Sequence, residues 1–194
     1  MKGYNTLRKI ILDILHTKLS KNLHYHGVNH TLDALKTSGL YLKHIEISNH
    51  EAQLLRLGIL FHDIGFIESN ENHEYRGSEI AKKMLAEYDF AQEDIDIIVG
   101  LILSTKVPQQ PKTQLERMIC DIDLDYLGRP DFYKISNYLF RELAYTIGLR
   151  DKKEWDKIQI KFLEAHKYHT DFAINRRQPE KEKRIEELKQ LVKF

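Results

Sequence analysis

Apolar residues recur at helical spacing along almost the whole chain. Leu7, Ile10, Ile11, Ile14 and Leu15 fall on one face of a helix. A second helix is predicted from Asn29-His30-Thr31 through Leu32, Leu35 and Leu40 to about Ile45, with a stop at Ser48-Asn49. Glu51 opens a third, carrying Leu54, Leu55, Leu57 and Leu60, and Gly65 ends it just past His62-Asp63. Further helices are predicted from Glu74 to Tyr88 and from Gln92 to Ile102. Two prolines make Val107–Pro111 a loop. Thr113 and Glu116 have capping-box spacing for the helix that delivers Asp121. Helices over Phe132–Ile147 and Lys152–Tyr168 follow, then a charged tail from Gln178 with a thin stripe of Ile185, Leu188 and Leu191, predicted to form a surface helix. No strand pattern persists and no repeat occurs, so the expected fold is an all-α bundle.

Length and composition narrow this picture. The 194 residues suit one domain, and 42% hydrophobic content supplies its core. A net charge of +1 offers no strong field for nucleic acid or an anionic membrane, so neither is expected as a partner. The single Cys120 rules out an internal disulfide and suits a reducing compartment. No signal peptide or transmembrane span is read, so a cytoplasmic location is expected.

The chemistry concentrates at His62-Asp63, behind the apolar run Leu57-Gly58-Ile59-Leu60-Phe61. Burying an unpaired charge is costly, and a divalent cation is the partner that accepts an imidazole and a carboxylate together. His30 lies upstream in His26-Gly27-Val28-Asn29-His30-Thr31, and Asp121, Asp123 and Asp125 lie downstream. Taken in order, these residues resemble the HD-domain superfamily of metal-dependent phosphohydrolases. Tyr25-His26-Gly27-Val28-Asn29-His30-Thr31 is similar to its first motif and Phe61-His62-Asp63-Ile64-Gly65-Phe66 to its second. Asn72-His73-Glu74, Ser78-Glu79-Ile80-Ala81, Leu101–Lys106 and Asp123–Arg129 resemble stretches of one bacterial subgroup. The resemblance is good over about residues 20–130 and looser through His166 and His169, which gives an HD-type helical bundle with additional C-terminal helices over 131–194.

The resemblance implies His30, His62, Asp63 and Asp121 as ligands of one divalent metal ion. Within the acidic triplet, Asp121 and Asp125 share a face and Asp123 points elsewhere, because two residues turn a helix by about 200°. Asp121 follows the apolar Met118-Ile119-Cys120 and best matches the family pattern; Asp123 replaces it on a shift of register. Mixed nitrogen and oxygen ligation suits Mn, Fe, Co, Ni, Zn or Mg. Asp63 is also expected to accept a proton from the attacking water, and the resemblance implies His26 either as proton donor to the leaving group or as a supporting or exposed residue outside the ligand set. His73 and Lys106 are candidate contacts to a substrate phosphate. The expected activity is hydrolysis of a small phosphorylated metabolite, a nucleotide first. The rival expectation is a regulatory module that binds a metal or nucleotide without turnover.

Overall fold

The computed structural model describes residues 3–193. Among these, ten α-helices follow one another: α1 Tyr4–Lys18, α2 Val28–Tyr41, α3 Asn49–Phe61, α4 His73–Glu87, α5 Gln92–Ser104, α6 Gln114–Asp123, α7 Phe132–Thr146, α8 Lys152–Ala165, α9 Asp171–Arg176 and α10 Gln178–Lys193. Short 3-10 turns over Ile64–Ile67 and Asp125–Gly128 follow α3 and α6. There is no strand among the described residues, in agreement with the all-α expectation.

Helix α3 is the axis of the molecule. Ala52, Leu54, Leu55, Leu57, Gly58, Ile59, Leu60 and Phe61 are all buried, and with only Gln53 and Arg56 part-exposed between them most of the helix's circumference belongs inside. Its side chains feed two cores. Leu54, Leu57, Leu60 and Phe61 join Leu7, Ile11 and Leu15 of α1 with Leu85, Ile95 and Ile98. Leu55 and Ile59 join Met118, Ile119 and Ile122 of α6 with Tyr41 and Leu163. Each fully buried leucine or isoleucine contributes about 1.5–3 kcal/mol relative to exposure, so α3 is anchored from both sides. Gly58 lets α5 approach, since a Cβ there would lie 2.9 Å from the Cβ of Leu101.

The helix ends follow local chemistry. Thr113 and Glu116 form the expected capping box of α6. Ser48, read from sequence as a stop, instead caps α3 in a second capping box with Glu51. Helix α3 gives way to a 3-10 turn just beyond His62-Asp63. That turn runs tightly beneath α4: a Cβ on Gly65 would come 1.9 Å from the backbone oxygen of His73. Only glycine fits there, and the contact brings His73 to the same end of the bundle as His62-Asp63.

The C-terminal helices are not an appendage. Leu163, Tyr168, Ala173, Ile185 and Leu188 belong to the same core as α3 and α6. The stripe of α10 is seated against α8 rather than left on the surface, except for the exposed Leu191. Sequence periodicity did not reveal the six-residue α9, which is shorter than two helical turns.

Candidate metal centre

Four segments converge at the end of α3. Gly27 starts α2, so His30 lies in its first turn. His62 stands at the C-terminal cap of α3 and Asp63 immediately follows. Asp123 is the last residue of α6. Residues at helix ends reach a common cavity without spanning the buried interior.

The Nε2 atoms of His30 and His62 are 3.1 Å apart. Asp123 Oδ1 lies 2.9 Å from His30 Nε2 and 3.5 Å from His62 Nε2. Asp63 Oδ2 lies 3.2 Å from His62 Nε2 and 3.7 Å from His30 Nε2. His62 Nδ1 donates to the Ile59 carbonyl at 2.7 Å, which leaves a lone pair on Nε2 facing the cluster. Asp63 Oδ2 is buried and has no hydrogen-bond partner among the described residues. Lone pairs and carboxylates thus face one another at close range, an arrangement only a cation or shared protons can hold. Metal–ligand bonds of about 2.0–2.2 Å place neighbouring donors about 3 Å apart, so His30, His62 and Asp123, whose donor atoms all lie within 4.8 Å of one another, fit a divalent ion, with Asp63 Oδ2 beside the two imidazoles.

The electrostatics agree with that fit. Burial opposes the positive charge of His62, but the carboxylates of Asp63 and Asp123 outweigh it and raise its pKa well above the usual value. Burial likewise opposes ionisation of Asp63, yet His62 first, then His26 and His30, hold it far below the carboxylate range. Asp123 is held low despite burial by hydrogen bonds from His30 and His62.

Asp121 does not face this cluster, and the sequence expectation that it joins His30 and His62 is corrected here. Its carboxylate accepts hydrogen bonds from the backbone of His169 at 2.9 Å, the backbone of Thr170 at 2.8 Å and the Thr170 hydroxyl at 2.6 Å. Thr170 in turn caps α9. Asp121 therefore ties the loop before α9 to α6, and burial pushes its pKa up to about 6 even against those bonds. Asp125, on the same side, accepts from Tyr41 at 3.0 Å and Arg177 at 2.7 Å. The alternation of faces is as the helical turn requires; Asp123 occupies the face that meets His30 and His62.

The remaining expected site residues gather around the cluster. A cavity of about 480 Å³ opens beside it, and Tyr25, His26, Asp63, His73, Lys106 and Asp123 all contribute to its wall. Phe66 lies between two imidazoles, with ring centroids 4.4 Å from His26 and 4.0 Å from His73. His73 Nε2 stands 3.8 Å from Asp63 Oδ1, and burial lowers its pKa. Lys106 is exposed on the cavity rim.

Sequence reasoning missed one residue. Glu142 of α7 is buried, and its Oε2 accepts from the backbone of Tyr25 at 2.8 Å and of His26 at 3.0 Å. Its Oε1 meets His26 Nδ1 at 2.5 Å. Burial works against charge on His26, but the Glu142 hydrogen bond and the nearby carboxylates win and raise its pKa. Glu142 sits 116 residues from its partner in an ordinary amphipathic helix, and no local pattern marked it.

No transmembrane-length apolar helix occurs among the described residues. Neither the curated proteins nor the solved structures compared with the chain contain a significant match. The family model described as HD domain matches residues 27–126, the segment that carries His30, His62, Asp63 and Asp123. With that match over half its length and an all-helical architecture, the chain belongs to the HD-domain family, whose members are generally metal-dependent hydrolases.

Proposed function

We propose that the protein is a metal-dependent phosphohydrolase acting on a small phosphorylated metabolite, a nucleotide among the first to test. The observation that carries this reading is the convergence of His30, His62 and Asp123 beside the unpartnered Asp63 Oδ2, at the wall of an open cavity. These four side chains would hold one divalent ion. Such an ion supplies Lewis acidity toward a phosphoryl oxygen and lowers the pKa of water.

The chain's own groups provide the rest. Asp63 stays ionised and presents Oδ1 toward the cavity side where His73 stands, so it can orient water and accept its proton. His26 carries a proton stabilised by Glu142 and donates it to the departing oxygen. His73 and Lys106 line the same wall and offer donors to phosphate oxygens. The balanced charge still favours a small substrate over nucleic acid, and we place the protein in the cytoplasm.

The test is a screen of phosphorylated metabolites against protein loaded with each candidate metal, with Asp63→Ala as control. Metal-dependent phosphate release that Asp63→Ala abolishes, with its helical content retained, is expected. If no phosphoester turns over with any metal, and one nucleotide binds unchanged, the protein is a regulatory module instead.

A further inference from the structure

The cavity beside the metal centre has two unlike ends. One carries the imidazoles and carboxylates already described. The other is walled by Leu139 and Leu143 of α7 and by Trp155, Ile158 and Phe162 of α8. All five lie outside the segment matched by the HD-domain family, which ends at residue 126. These helices are held firmly. Trp155 is buried and stacks on Phe140 at 5.9 Å, and the Gln159 side chain is bonded to Ser136 and to Asp156. Ile158 is nonetheless 38% exposed, an apolar side chain on the cavity wall with nothing covering it. The charge on the wall is lopsided as well. Asp63, Glu74 and Asp123 supply three carboxylates, while Lys106 is the one lysine or arginine among the described residues.

We infer that the substrate is a monophosphate ester whose organic group is apolar or aromatic, and that α7 and α8 select it by that group. This rests on the phosphohydrolase reading for the position of the phosphate. A phosphoryl group at the metal end places the esterified group against Leu139, Leu143, Trp155, Ile158 and Phe162. The cavity volume of about 480 Å³ lies within the range of about 300–1,000 Å³ for small-molecule sites. Outside the donors assigned to the ion, the wall offers Lys106 against the Glu74 carboxylate and no second lysine or arginine among the described residues, so the further charges of a di- or triphosphate find no partner and polyphosphates are selected against. Helix α7 does two tasks at once: Glu142 holds His26, and Leu139 and Leu143 receive the organic group.

The test uses the metal-loaded full chain and a ladder of non-hydrolysable alkylphosphonates, from methyl through butyl to octyl, with phenylphosphonate and ATP as further arms. Trp155 is the sole tryptophan of the chain, so its fluorescence reports directly from the apolar end. Affinity is expected to rise by about fourfold per methylene buried, with a Trp155 spectral change for octyl- and phenylphosphonate and none for methylphosphonate. Ile158→Glu should flatten the ladder while circular dichroism stays unchanged. Equal affinity for methyl- and octylphosphonate, no binding of any member, tighter binding of ATP than of octylphosphonate, or an unaltered ladder in Ile158→Glu would each overturn the inference. The two readings fail distinguishably: phosphoester turnover with a flat ladder sinks only this one, and a steep ladder without turnover of any phosphoester sinks the hydrolase and leaves α7 and α8 selecting a bound phosphate ligand by its apolar group.

Discussion

The contact between Glu142 and His26 gives the sharpest prediction. Glu142→Gln keeps the shape of the side chain and removes its charge. Glu142 now accepts three hydrogen bonds, two from the backbone of Tyr25 and His26 and one from the His26 ring. The glutamine oxygen can still serve both backbone donors. Its amide group then faces Nδ1, which must become an acceptor, so His26 is held as the neutral Nε2–H tautomer. A hydrogen bond between charged partners is worth roughly 1.5–3 kcal/mol, or about 1–2 pKa units. The Glu142 side chain is only 4% exposed, so solvent screens the pair little.

The sign follows from the proposed role of His26 as acid. In the native protein its pKa is raised above 6.5, which keeps it protonated toward neutral pH. In Glu142→Gln the falling limb of kcat against pH should move about 1–2 units lower, with little change in metal content. Stability shifts in the same sense. The native pair stabilises the fold fully below the unfolded histidine value of 6.5, and that stabilisation is lost as pH rises through the higher folded pKa. The variant should lack this dependence. The decisive measurements are the pH–rate profile and the NMR titration of the His26 ring in protein loaded with a diamagnetic ion. An unmoved limb together with an unmoved His26 titration would refute the assignment of His26 as an acid tuned by Glu142.

Two further predictions concern the acidic triplet and the buried lysine. Asp123→Asn should strip the metal, losing more than the ~10–100-fold in affinity typical when only an outer-shell partner is lost; Asp121→Asn should keep the metal and cost about 1–3 kcal/mol of stability through the Thr170 and His169 contacts, as metal analysis after dialysis and thermal melts will distinguish. Lys181 is 2% exposed, donates to the His166 carbonyl, and has its pKa lowered by burial to about 8. A lowered pKa in a base penalises the fold below about 8 and ceases to do so above 10.5. Lys181→Met should therefore be more stable at pH 7, by about 1–2 kcal/mol, with the gap closing toward pH 10 in denaturant unfolding; a variant less stable at both pH values contradicts this.

Much of this protein is set by short-range pattern. The period of apolar residues gives the helices, Thr113 with Glu116 gives a capping box, and the uninterrupted run before His62 gives a final helical turn buried on all sides. Those features depend on neighbours within a turn or two, so the sequence contains them in full. His30 and His62-Asp63 are legible for a related reason: each stands at a helix end, where motif and boundary coincide. The choice between Asp121 and Asp123 was of another kind. Both are acidic and both sit near the end of α6. The sequence also offered the apolar Met118-Ile119-Cys120 as a sign that Asp121 is buried, which it is. Burial did not say against what. The loop at His169 and Thr170, 48 and 49 residues away, supplies donors to Asp121, and the crossing of α6 with α2 and α3 aims Asp123 at the imidazoles. Glu142 and the apolar end of the cavity arise the same way, from α7 and α8 folding back over the site. Local periodicity fixes which helices form and which face is apolar; the rotation of each helix about its axis, and therefore which of two neighbouring carboxylates meets the metal centre, is decided only when distant helices pack.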